Sequence, residues 1–462
     1  MKTKAILSIL APVFALSLIG SETAFAQGKI VLEEVVVTAQ RREQNLQEVP
    51  ISVSAYSGDF LQKSNIKSAT EYLALTPNVS FTEDGQTGAR GMGIAIRGVN
   101  NLVSGENAFV NSIGIYLDEF SIASVPNQVA NPQLPDMERV EVLRGPQGTF
   151  FGRNSVGGAL NLTTKKPTDE FEGSIGVGLE DIDNSGEQYS VTGIINVPIA
   201  DGFAARAVLY YEDSDGYVEN ACAAGASVAS CPAAEENNFT PNGADGSERE
   251  SLMVRLNTAW DVSDRTTIGT TLIYSDEDQG TDENVPSGQL DLDSIDTFGV
   301  EQALDPGTGF WPNNRNKLSH DIDEHTKNEA IVAVLNIAHE INDNLVFKSI
   351  SGIVDAEVDR LFDNDLIGGY DALQRDNLYE GTSWSTEARL EWTTESHDLI
   401  VGLLYAEDQQ EQTNNVAIST QPTATLGGVG VLPPFPEGLG LARNSKNFEV
   451  ESLAIFADFT AH

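Results

Sequence analysis

The chain has 462 residues, of which 40% are apolar and 7% aromatic, and its 69 acidic and 27 basic residues give a formal net charge of −42. This length predicts two or three domains, and a helical membrane protein is excluded because no run of 18 or more apolar residues is present. Nucleic acid is not expected as a partner, since the sequence lacks a basic face that could neutralise phosphates.

The first 26 residues predict a secretory signal peptide. Lys2 and Lys4 form a charged start, residues 5–19 are mostly apolar, and Ala24-Phe25-Ala26 fits the small-residue cleavage pattern. A membrane anchor is the alternative, but it requires a longer apolar span. Export places the mature chain in an oxidising compartment, where disulfide bonds persist.

Residues 27–47 are polar apart from a β-branched stretch at residues 30–37. Composition alone fits a flexible N-terminus with one apolar patch. The alternative is a segment that adds as a strand to the edge of another protein's sheet, where backbone hydrogen bonds provide the affinity.

Residues 48–167 predict one small mixed α/β domain. Helices are expected at residues 60–66 and 68–75, where apolar positions recur on one face and cap residues precede them. Strands are expected at residues 51–55, 94–97, 113–117, 139–143 and 159–162.

The last part of this domain is rich in glycine. Five glycines, at positions 145, 148, 152, 157 and 158, require a backbone with positive φ angles or close packing. A phosphate-binding loop is excluded because no Gly-Lys-Ser/Thr follows. Taken alone, these residues fit a compact β-rich domain with tight turns.

From Phe171 onward the pattern changes to longer strands. In Ser383–Thr393, every second residue from Trp384 to Trp392 lies on one largely apolar face, and Glu387, Arg389 and Glu391 lie on the other. Such alternation with aromatic ends is typical of a lipid-facing strand, although a strand of a soluble sandwich would also alternate. We predict ten strands, at residues 171–180, 189–200, 203–217, 250–262, 266–278, 328–341, 345–359, 383–394, 398–412 and 448–460.

The connections between these strands alternate in length. Four are tight turns rich in Asn, Asp and Gly, whereas residues 218–249, 279–327, 360–382 and 413–447 form long connections. Soluble domains rarely keep several loops of that length. Short periplasmic turns alternating with long outside loops indicate an outer-membrane β-barrel.

The two cysteines, Cys222 and Cys231, both lie in the first long connection. With no histidine or third cysteine nearby, a disulfide bond is favoured over a metal site.

No pattern in the sequence supports an enzyme, a cofactor or a metal centre. A Gly-x-Ser-x-Gly motif is absent, and the five histidines are scattered. His320 and His325 share a loop with three carboxylates; a divalent cation could bind there, but a solvated loop is the expectation.

Three segments resemble one family. Residues 138–167, ERVEVLRGPQGTFFGRNSVGGALNLTTKKP, closely resemble the end of the plug domain of TonB-dependent outer-membrane receptors. Residues 94–98, IAIRG, are similar to a plug strand of that family, and residues 33–42, EEVVVTAQRR, resemble its TonB-box region.

The resemblance implies an all-β transmembrane barrel in the outer membrane of a Gram-negative cell, with an N-terminal mixed α/β plug. The domains expected are a signal peptide at residues 1–26, a TonB-box segment at 27–47, a plug at 48–167 and a partial barrel with long extracellular loops at 168–462. Ten strands are fewer than the roughly 22 of a plugged barrel, so the barrel is incomplete here. We therefore expect this chain to be the N-terminal part of a longer receptor.

The resemblance also assigns roles to residues. The TonB protein, with its inner-membrane complex, is expected to bind the segment made of Glu34, Val35, Val36, Val37, Thr38 and Ala39. Arg97 and Arg144 are expected to lock the plug to barrel carboxylates, with Glu387 as one partner. The other expected partners are outer-membrane lipid and a small extracellular ligand.

The function implied is energised uptake of a scarce ligand, such as a ferric siderophore, cobalamin, haem or a carbohydrate. Nothing in the sequence selects among these ligands. Two alternatives stay open: a passive porin-like channel, and a plug-bearing binding fragment without energised transport.

Overall fold

The structure is a computed structural model. It describes residues 36–461 except for gaps at 39–40, 43, 48, 50, 67, 84–91, 101–111, 123–134, 153, 183–185, 217, 223–244, 247, 281–316, 319, 321–322, 364–373 and 419–438. Glu34, Val35 and Ala39 of the predicted TonB-binding segment therefore lie outside the described residues.

The described chain begins with a small antiparallel pair. Strand β1 (Val36–Val37) pairs with β2 (Gln44–Asn45), so that Val37 lies opposite Gln44. The side chain of Val37 is fully buried. The β-branched stretch thus ends as a strand that already has a partner within its own chain.

Two predicted helices follow and are confirmed. Helix α1 (Gly58–Lys63) begins after Ser57, whose hydroxyl accepts a hydrogen bond from the Phe60 N–H. Helix α2 (Ala69–Ala74) follows Ser68, whose N–H donates to the Glu71 carboxylate at 3.1 Å.

We call this domain the plug. Its remaining elements are the strands of two sheets and one short helix. The elements are β3 (Val53–Ser57), β4 (Val79–Glu83), β5 (Met92–Ile96), β6 (Val99–Asn100), β7 (Ile113–Leu117), β8 (Phe120–Ser121), β9 (Met137–Arg144), α3 (Gly148–Phe151) and β10 (Gly158–Thr164). One sheet has the order β3-β9-β10-β7-β8, with β7 and β10 parallel, and the other has the order β4-β5-β6. The five predicted strands are confirmed; β4, β6, β8 and α3 were not predicted.

Glycine is required where the plug strands pack most closely. A Cβ atom at Gly158 would lie 2.4 Å from the Leu143 carbonyl oxygen, and Gly145 and Gly152 adopt φ angles of +113° and +72°. The glycine-rich stretch is therefore a tight turn between two core strands.

The second half of the chain forms one antiparallel sheet of ten strands, which we call the barrel sheet. Its strands are β11 (Glu172–Ile182), β12 (Gly186–Ala200), β13 (Phe203–Ser214), β15 (Arg249–Ser263), β16 (Thr266–Gln279), β18 (His325–Asn342), β19 (Leu345–Asp363), β20 (Gln374–Thr393), β21 (His397–Ile418) and β22 (Leu439–Ala461). Each strand pairs with the next in sequence order. All ten predicted strands are confirmed; most extend further toward the long connections.

Two short strands lie in those long connections. Strand β14 (Glu219–Asn220) pairs in parallel with β17 (Lys317–Leu318), and the Asn220 amide donates a hydrogen bond to the His320 carbonyl at 2.9 Å. The first two long connections are therefore joined to each other.

The two faces of the barrel sheet differ as the alternation predicts. Trp384 and Leu390 on one face of β20 are 38% and 43% exposed, whereas Arg389 on the other face is 1% exposed. Among the described residues, no helix is long and apolar enough to cross a membrane.

The buried face of the barrel sheet covers the plug. One apolar core contains plug residues from α1, α2, β5, β7, β9 and β10 together with side chains of β18 and β19, such as Val332 and Val354. Phe120 of the plug packs against Gly352 of β19, where a Cβ atom would lie 2.5 Å from the Phe120 ring. The plug and barrel sheet thus share a core, and polar contacts surround it.

Candidate functional site at the plug and barrel interface

The first polar contact between the plug and the barrel sheet is the Glu119 cluster, which consists of Arg41, Glu119, Glu387, Arg389 and Glu391. The Glu119 carboxylate, in the turn between β7 and β8, accepts hydrogen bonds from Arg41 at 2.9 Å and from Arg389 at 2.8 Å. Arg389 also donates to Glu387 at 2.8 Å and to Glu391 at 2.7 Å. One plug carboxylate therefore joins an N-terminal arginine to a barrel arginine.

Arg41 is held from several sides. Its Nε donates to the Phe150 carbonyl at 2.8 Å, and its guanidinium lies 4.8 Å from the centre of the Phe151 ring. A second guanidinium nitrogen is 3.9 Å from the Glu387 carboxylate. Its side chain is buried, so these partners replace the water that a guanidinium would otherwise bind.

The charges of the Glu119 cluster affect its titration. Burial raises the pKa of the Glu119 carboxyl, but the guanidinium groups of Arg389 and Arg41 outweigh that effect and lower the pKa to about 2. Glu119 is therefore a carboxylate at any physiological pH, which keeps both hydrogen bonds charge-assisted.

The second contact is the Asp136 cluster, which consists of Asp136, Glu172, Arg206 and Arg255. Arg206 binds both oxygens of the Asp136 carboxylate at 2.6 Å and donates to Glu172 at 2.8 Å. Arg255 donates to the Asp136 backbone carbonyl at 2.8 Å. Two barrel arginines thus bind the chain just before β9.

The third contact is the Asp118 cluster, formed by Asp118, Thr164, Asn257 and Thr271. One Asp118 oxygen accepts from the hydroxyl groups of Thr164 and Thr271 at 2.7 Å each, and Thr271 belongs to the barrel. Asn257 of the barrel donates to the Thr164 hydroxyl at 2.6 Å. This network ties the ends of β7 and β10 to the barrel sheet.

The N-terminal segment has its own contacts with the barrel. Arg42, which follows Arg41, forms an ion pair with Asp398 at the start of β21 and lies 3.5 Å from Asp458 of β22. The chain just after the predicted TonB-binding segment is therefore bound to the barrel at two successive arginines.

The predicted TonB-binding segment is itself held by the plug. The Thr38 N–H donates to the Glu141 carboxylate at 2.6 Å, and Glu141 is fully buried on β9. The same carboxylate accepts from Asn161 at 2.7 Å and from Arg139 at 3.1 Å. A buried carboxylate with three donors fixes the end of the segment against the plug sheet.

The predicted lock differs from these contacts. Arg144 donates to the Pro77 carbonyl at 3.0 Å, a bond within the plug. Arg97 is exposed and has a φ angle of +52°, and its guanidinium lies next to Gly145. Within the described ranges, neither arginine pairs with a barrel carboxylate, because the turns after β5 and β9 direct them along the plug. Glu387 does lie at the interface, but its partners are Arg389 and Arg41.

Sequence reasoning missed Arg41, Arg42, Glu119 and Asp136 as contact residues. The Arg-Arg pair directly after the TonB-binding segment and the Asp-Glu pair between two short strands were the available signals. Neither pair indicated its partner, because Arg41 and Glu119 are 78 residues apart, Glu119 and Arg389 are 270 apart, and Arg42 and Asp398 are 356 apart.

Two predictions concern the long connections: the disulfide bond between Cys222 and Cys231, and the acidic loop with His320 and His325. Cys222 is buried and disulfide-bonded, and Cys231, its predicted partner, lies outside the described residues. His320 is fully buried and lies 2.8 Å from the Glu324 carboxylate, so the expectation of a solvated loop is wrong for this pair. In the part of the chain that the structure describes, no group of three or more His, Cys, Asp or Glu could hold a metal ion.

Comparison with known proteins gives this interface a context. Residues 45–159 match the profile of the TonB-dependent Receptor Plug Domain. The iron-regulated outer membrane virulence protein of Vibrio cholerae serotype O1 is 30% identical over 199 residues, which cover 41% of this chain and 29% of that protein. The vitamin B12 transporter BtuB of Vibrio vulnificus is 30% identical over 145 residues, which cover 31% of this chain and 22% of that protein.

The fold is also similar to solved structures. The ferric citrate transporter FecA in its unliganded form superposes with a TM-score of 0.64 at 14% identity, covering 89% of this chain and 54% of FecA. This chain thus spans about half the length of the FecA structure. Its match to each of the two curated relatives covers less than a third of that relative's length. Residues 45–159 therefore carry the plug domain of the TonB-dependent receptors, and the chain shares its fold with solved outer-membrane receptors of that kind.

Proposed function

We propose that the protein takes up a scarce extracellular ligand in steps powered through TonB and its inner-membrane complex. The observation that carries this proposal is the connection of the TonB-binding segment to the plug and the barrel. Thr38 is bound by Glu141 of the plug, and the next contacts along the chain, at Arg41 and Arg42, reach the barrel.

This arrangement supports a sequence of events. TonB would add a strand to residues 34–39 through backbone hydrogen bonds. A pull on that strand would break the bond between Thr38 and Glu141 first, and then load Arg41 and with it the Glu119 cluster. Because these N-terminal contacts are polar, water can replace each of them as the segment is pulled, whereas the apolar core that the plug shares with β18 and β19 resists displacement.

The domain boundaries in this proposal are those expected from the sequence. Residues 1–26 are the signal peptide, 27–47 the TonB-binding region, 48–167 the plug and 168–462 the barrel part of the chain, whose outward face contacts outer-membrane lipid. The disulfide between Cys222 and Cys231 belongs to the outside loops.

Three residues have proposed roles in this mechanism. Arg97 and Arg144 hold the turns of the plug, and Glu387 is the barrel partner of Arg41.

Relatives with this fold are named for different ligands, including vitamin B12 and ferric citrate. The ligand that we propose is extracellular and belongs to the siderophore, cobalamin, haem or carbohydrate class. Transport without TonB is the alternative. A passive channel would still pass its solute after deletion of residues 33–40, whereas an energised receptor would not.

Cross-linking to TonB tests the proposal without knowledge of the ligand. A photoreactive amino acid at Val35 should cross-link to TonB in cells. Deletion of residues 36–39 should abolish the cross-link, because the added strand loses its backbone donors and acceptors, whereas deletion of residues 28–31 upstream should preserve it. Absence of the cross-link in the otherwise unaltered receptor would exclude energised uptake through this segment.

Glu141→Gln tests the step between TonB and the plug. The substitution replaces one acceptor oxygen by an amide that faces the Asn161 donor, so Thr38 should be released more often. We expect the hydrogen exchange of the Thr38 amide to rise about tenfold to hundredfold, which corresponds to about 1.5–3 kcal/mol for a hydrogen bond to a charged group. The exposed neighbour Glu138→Gln is the control and should leave the exchange unchanged; equal rates in both variants would contradict the role of Glu141.

A further inference from the structure

Above the plug, two rows of polar side chains cross the inner face of the barrel sheet next to the long connections. They lie on β16, β18, β19, β20 and β21; the first row is continuous in register, whereas the second row is interrupted on β19 by the buried side chain of Val358. We call this surface the lumen amide band; its first row is Gln279, Thr326, Arg360, Asn377 and Asn414, and its second row is Glu277, Asn328, Tyr379 and Gln412.

Strand pairing alone brings these residues together. Gln279 lies opposite Thr326, and Arg360 lies opposite Asn377, although long connections separate the members of each pair in sequence. Neighbouring strands are about 4.8 Å apart, so the three strand spacings from Gln279 to Asn377 cover roughly 14 Å. The band is therefore wide enough for an extended ligand with several polar groups.

Three carboxamides of the band have an unused acceptor. Gln279, Asn328 and Asn377 are 4%, 9% and 2% exposed. Among the described residues, their side-chain oxygens are buried and accept no hydrogen bond. A buried acceptor without a donor costs about 1–3 kcal/mol, so three such groups on one surface indicate a ligand that supplies donors.

The charge of the band indicates which kind of donor. The two rows contain one carboxylate, Glu277, and one guanidinium, Arg360, so their formal charges cancel. Arg360 also lies 4.2 Å from the centre of the Phe362 ring. An anionic ligand would need an excess of cations here, whereas hydroxyl groups both donate to amide oxygens and accept from amide nitrogens.

We infer that the lumen amide band binds a neutral, polyhydroxylated ligand of the carbohydrate class. This inference rests on the proposed function, since it names the ligand class of the same receptor. Gln279, Asn328 and Asn377 accept hydrogen bonds from ligand hydroxyls, and the Tyr379 ring offers an apolar surface beside them. The polar groups that the fold leaves without partners then become the groups that select the ligand.

Binding to outer-membrane vesicles from cells that lack TonB tests the inference separately from uptake. The probes are radiolabelled maltohexaose, cellohexaose, xylohexaose and chitohexaose, with ferric citrate as the anionic comparison. The variants are Asn328→Ala and Asn377→Ala, which remove one carboxamide each with little demand on folding. Asn415→Ala is the matched control, because Asn415 neighbours Asn414 on β21 but lies on the outward face.

We expect at least one hexaose to bind, with a Kd that rises about tenfold in each band variant and stays unchanged in Asn415→Ala. Binding of none of the four hexaoses overturns the inference, as does a Kd that the band variants leave unchanged. Binding of ferric citrate that depends on Asn377 also overturns it. The cross-link between Val35 and TonB does not depend on the ligand. A wrong ligand class would therefore abolish hexaose binding but preserve the cross-link, whereas a wrong uptake proposal would abolish the cross-link.

Discussion

At the scale of single residues, two consecutive carboxylates position the plug. Asp118 and Glu119 form the turn between β7 and β8, with φ angles of +48° and +72°. Asp tolerates this left-handed region better than most residues, whereas for Glu it is strained. The turn sends Asp118 to Thr271 on β16 and Glu119 to Arg389 on β20, so one tight turn contacts two distant strands.

Glu119→Gln should weaken docking of the plug in a pH-dependent way. The pKa of Glu119 in the folded protein, about 2, lies below its ordinary value of 4.5. The carboxylate therefore stabilises the docked plug fully above about pH 4.5, and this contribution is lost as the pH falls toward 2. We expect the variant to lose about 1–2 kcal/mol at pH 6, a figure reduced because 33% of the side chain is exposed.

Urea unfolding of the plug at pH 6 and pH 2.5 measures this effect, with a dye attached through Lys63→Cys on α1 as the reporter. The difference between the variant and the parent protein should be largest at pH 6 and much smaller at pH 2.5. Glu138→Gln, an exposed change on β9, should show no difference at either pH. A difference of equal size at both pH values would mean that the charge of Glu119 is not what holds the plug.

At the scale of elements, one strand of the barrel fits the plug closely. Strand β19 presents Gly352 to the ring of Phe120, while Val354 and Ala356 further along the same face enter the shared core. The absence of a side chain at position 352 allows the aromatic ring to approach the strand. Strand β19 is thus shaped to hold β8 of the plug.

Gly352→Ala should displace Phe120 and loosen the plug without disturbing the barrel. The added Cβ would lie 2.5 Å from the ring, which forces a shift. We expect a cost of about 1–3 kcal/mol, typical of overpacking, and faster hydrogen exchange in β7 and β8. Gly193→Ala on β12 is the matched control, because its Cβ would meet no atom closer than 4.0 Å. Faster exchange in both variants would show that any glycine replacement in the sheet has this effect.

At the scale of the whole molecule, the spacing of aromatic side chains on the outward face of the barrel sheet matches the thickness of a membrane. Trp384 and Trp392 lie eight residues apart on one face of β20, which corresponds to roughly 26 Å along the strand. Trp384 packs against Tyr405 at 5.2 Å between ring centres, and Phe203 packs against Trp260 at 6.3 Å near the short turns. Two aromatic belts with apolar side chains between them match the two interfaces of an outer membrane.

Leu403→Arg should destabilise the protein through the membrane. Leu403 is 47% exposed and pairs with Ala388, midway between Trp384 and Trp392. A cation at this depth should cost about 2–4 kcal/mol, whereas Gln409→Arg, further along the same face of β21, should cost about 0–1 kcal/mol. Unfolding from lipid vesicles in guanidinium chloride compares the two variants. Equal costs would indicate that Leu403 does not face lipid.

Much of the barrel and of the plug could be predicted from local pattern. The ten barrel strands follow from strict alternation and from turns of Asn, Asp and Gly, because a strand with one lipid face and one inner face must alternate. The plug helices follow from cap residues such as Ser57, and the glycine-rich stretch from its composition. The unpredicted strands β6 and β8 are only two residues long, too short to carry a periodic pattern.

The contacts of the site were decided by tertiary structure. Sequence alone placed Arg97 and Arg144 at strand ends, but the plug turns direct them along the plug, and Arg41 and Glu119 occupy the interface with Arg389 instead. Likewise, the register of the four strands β16, β18, β19 and β20 collects Gln279, Asn328 and Asn377 on one surface. Secondary structure is determined by neighbours a few residues apart, whereas these contacts join residues that meet only when the ten-stranded sheet packs against the folded plug.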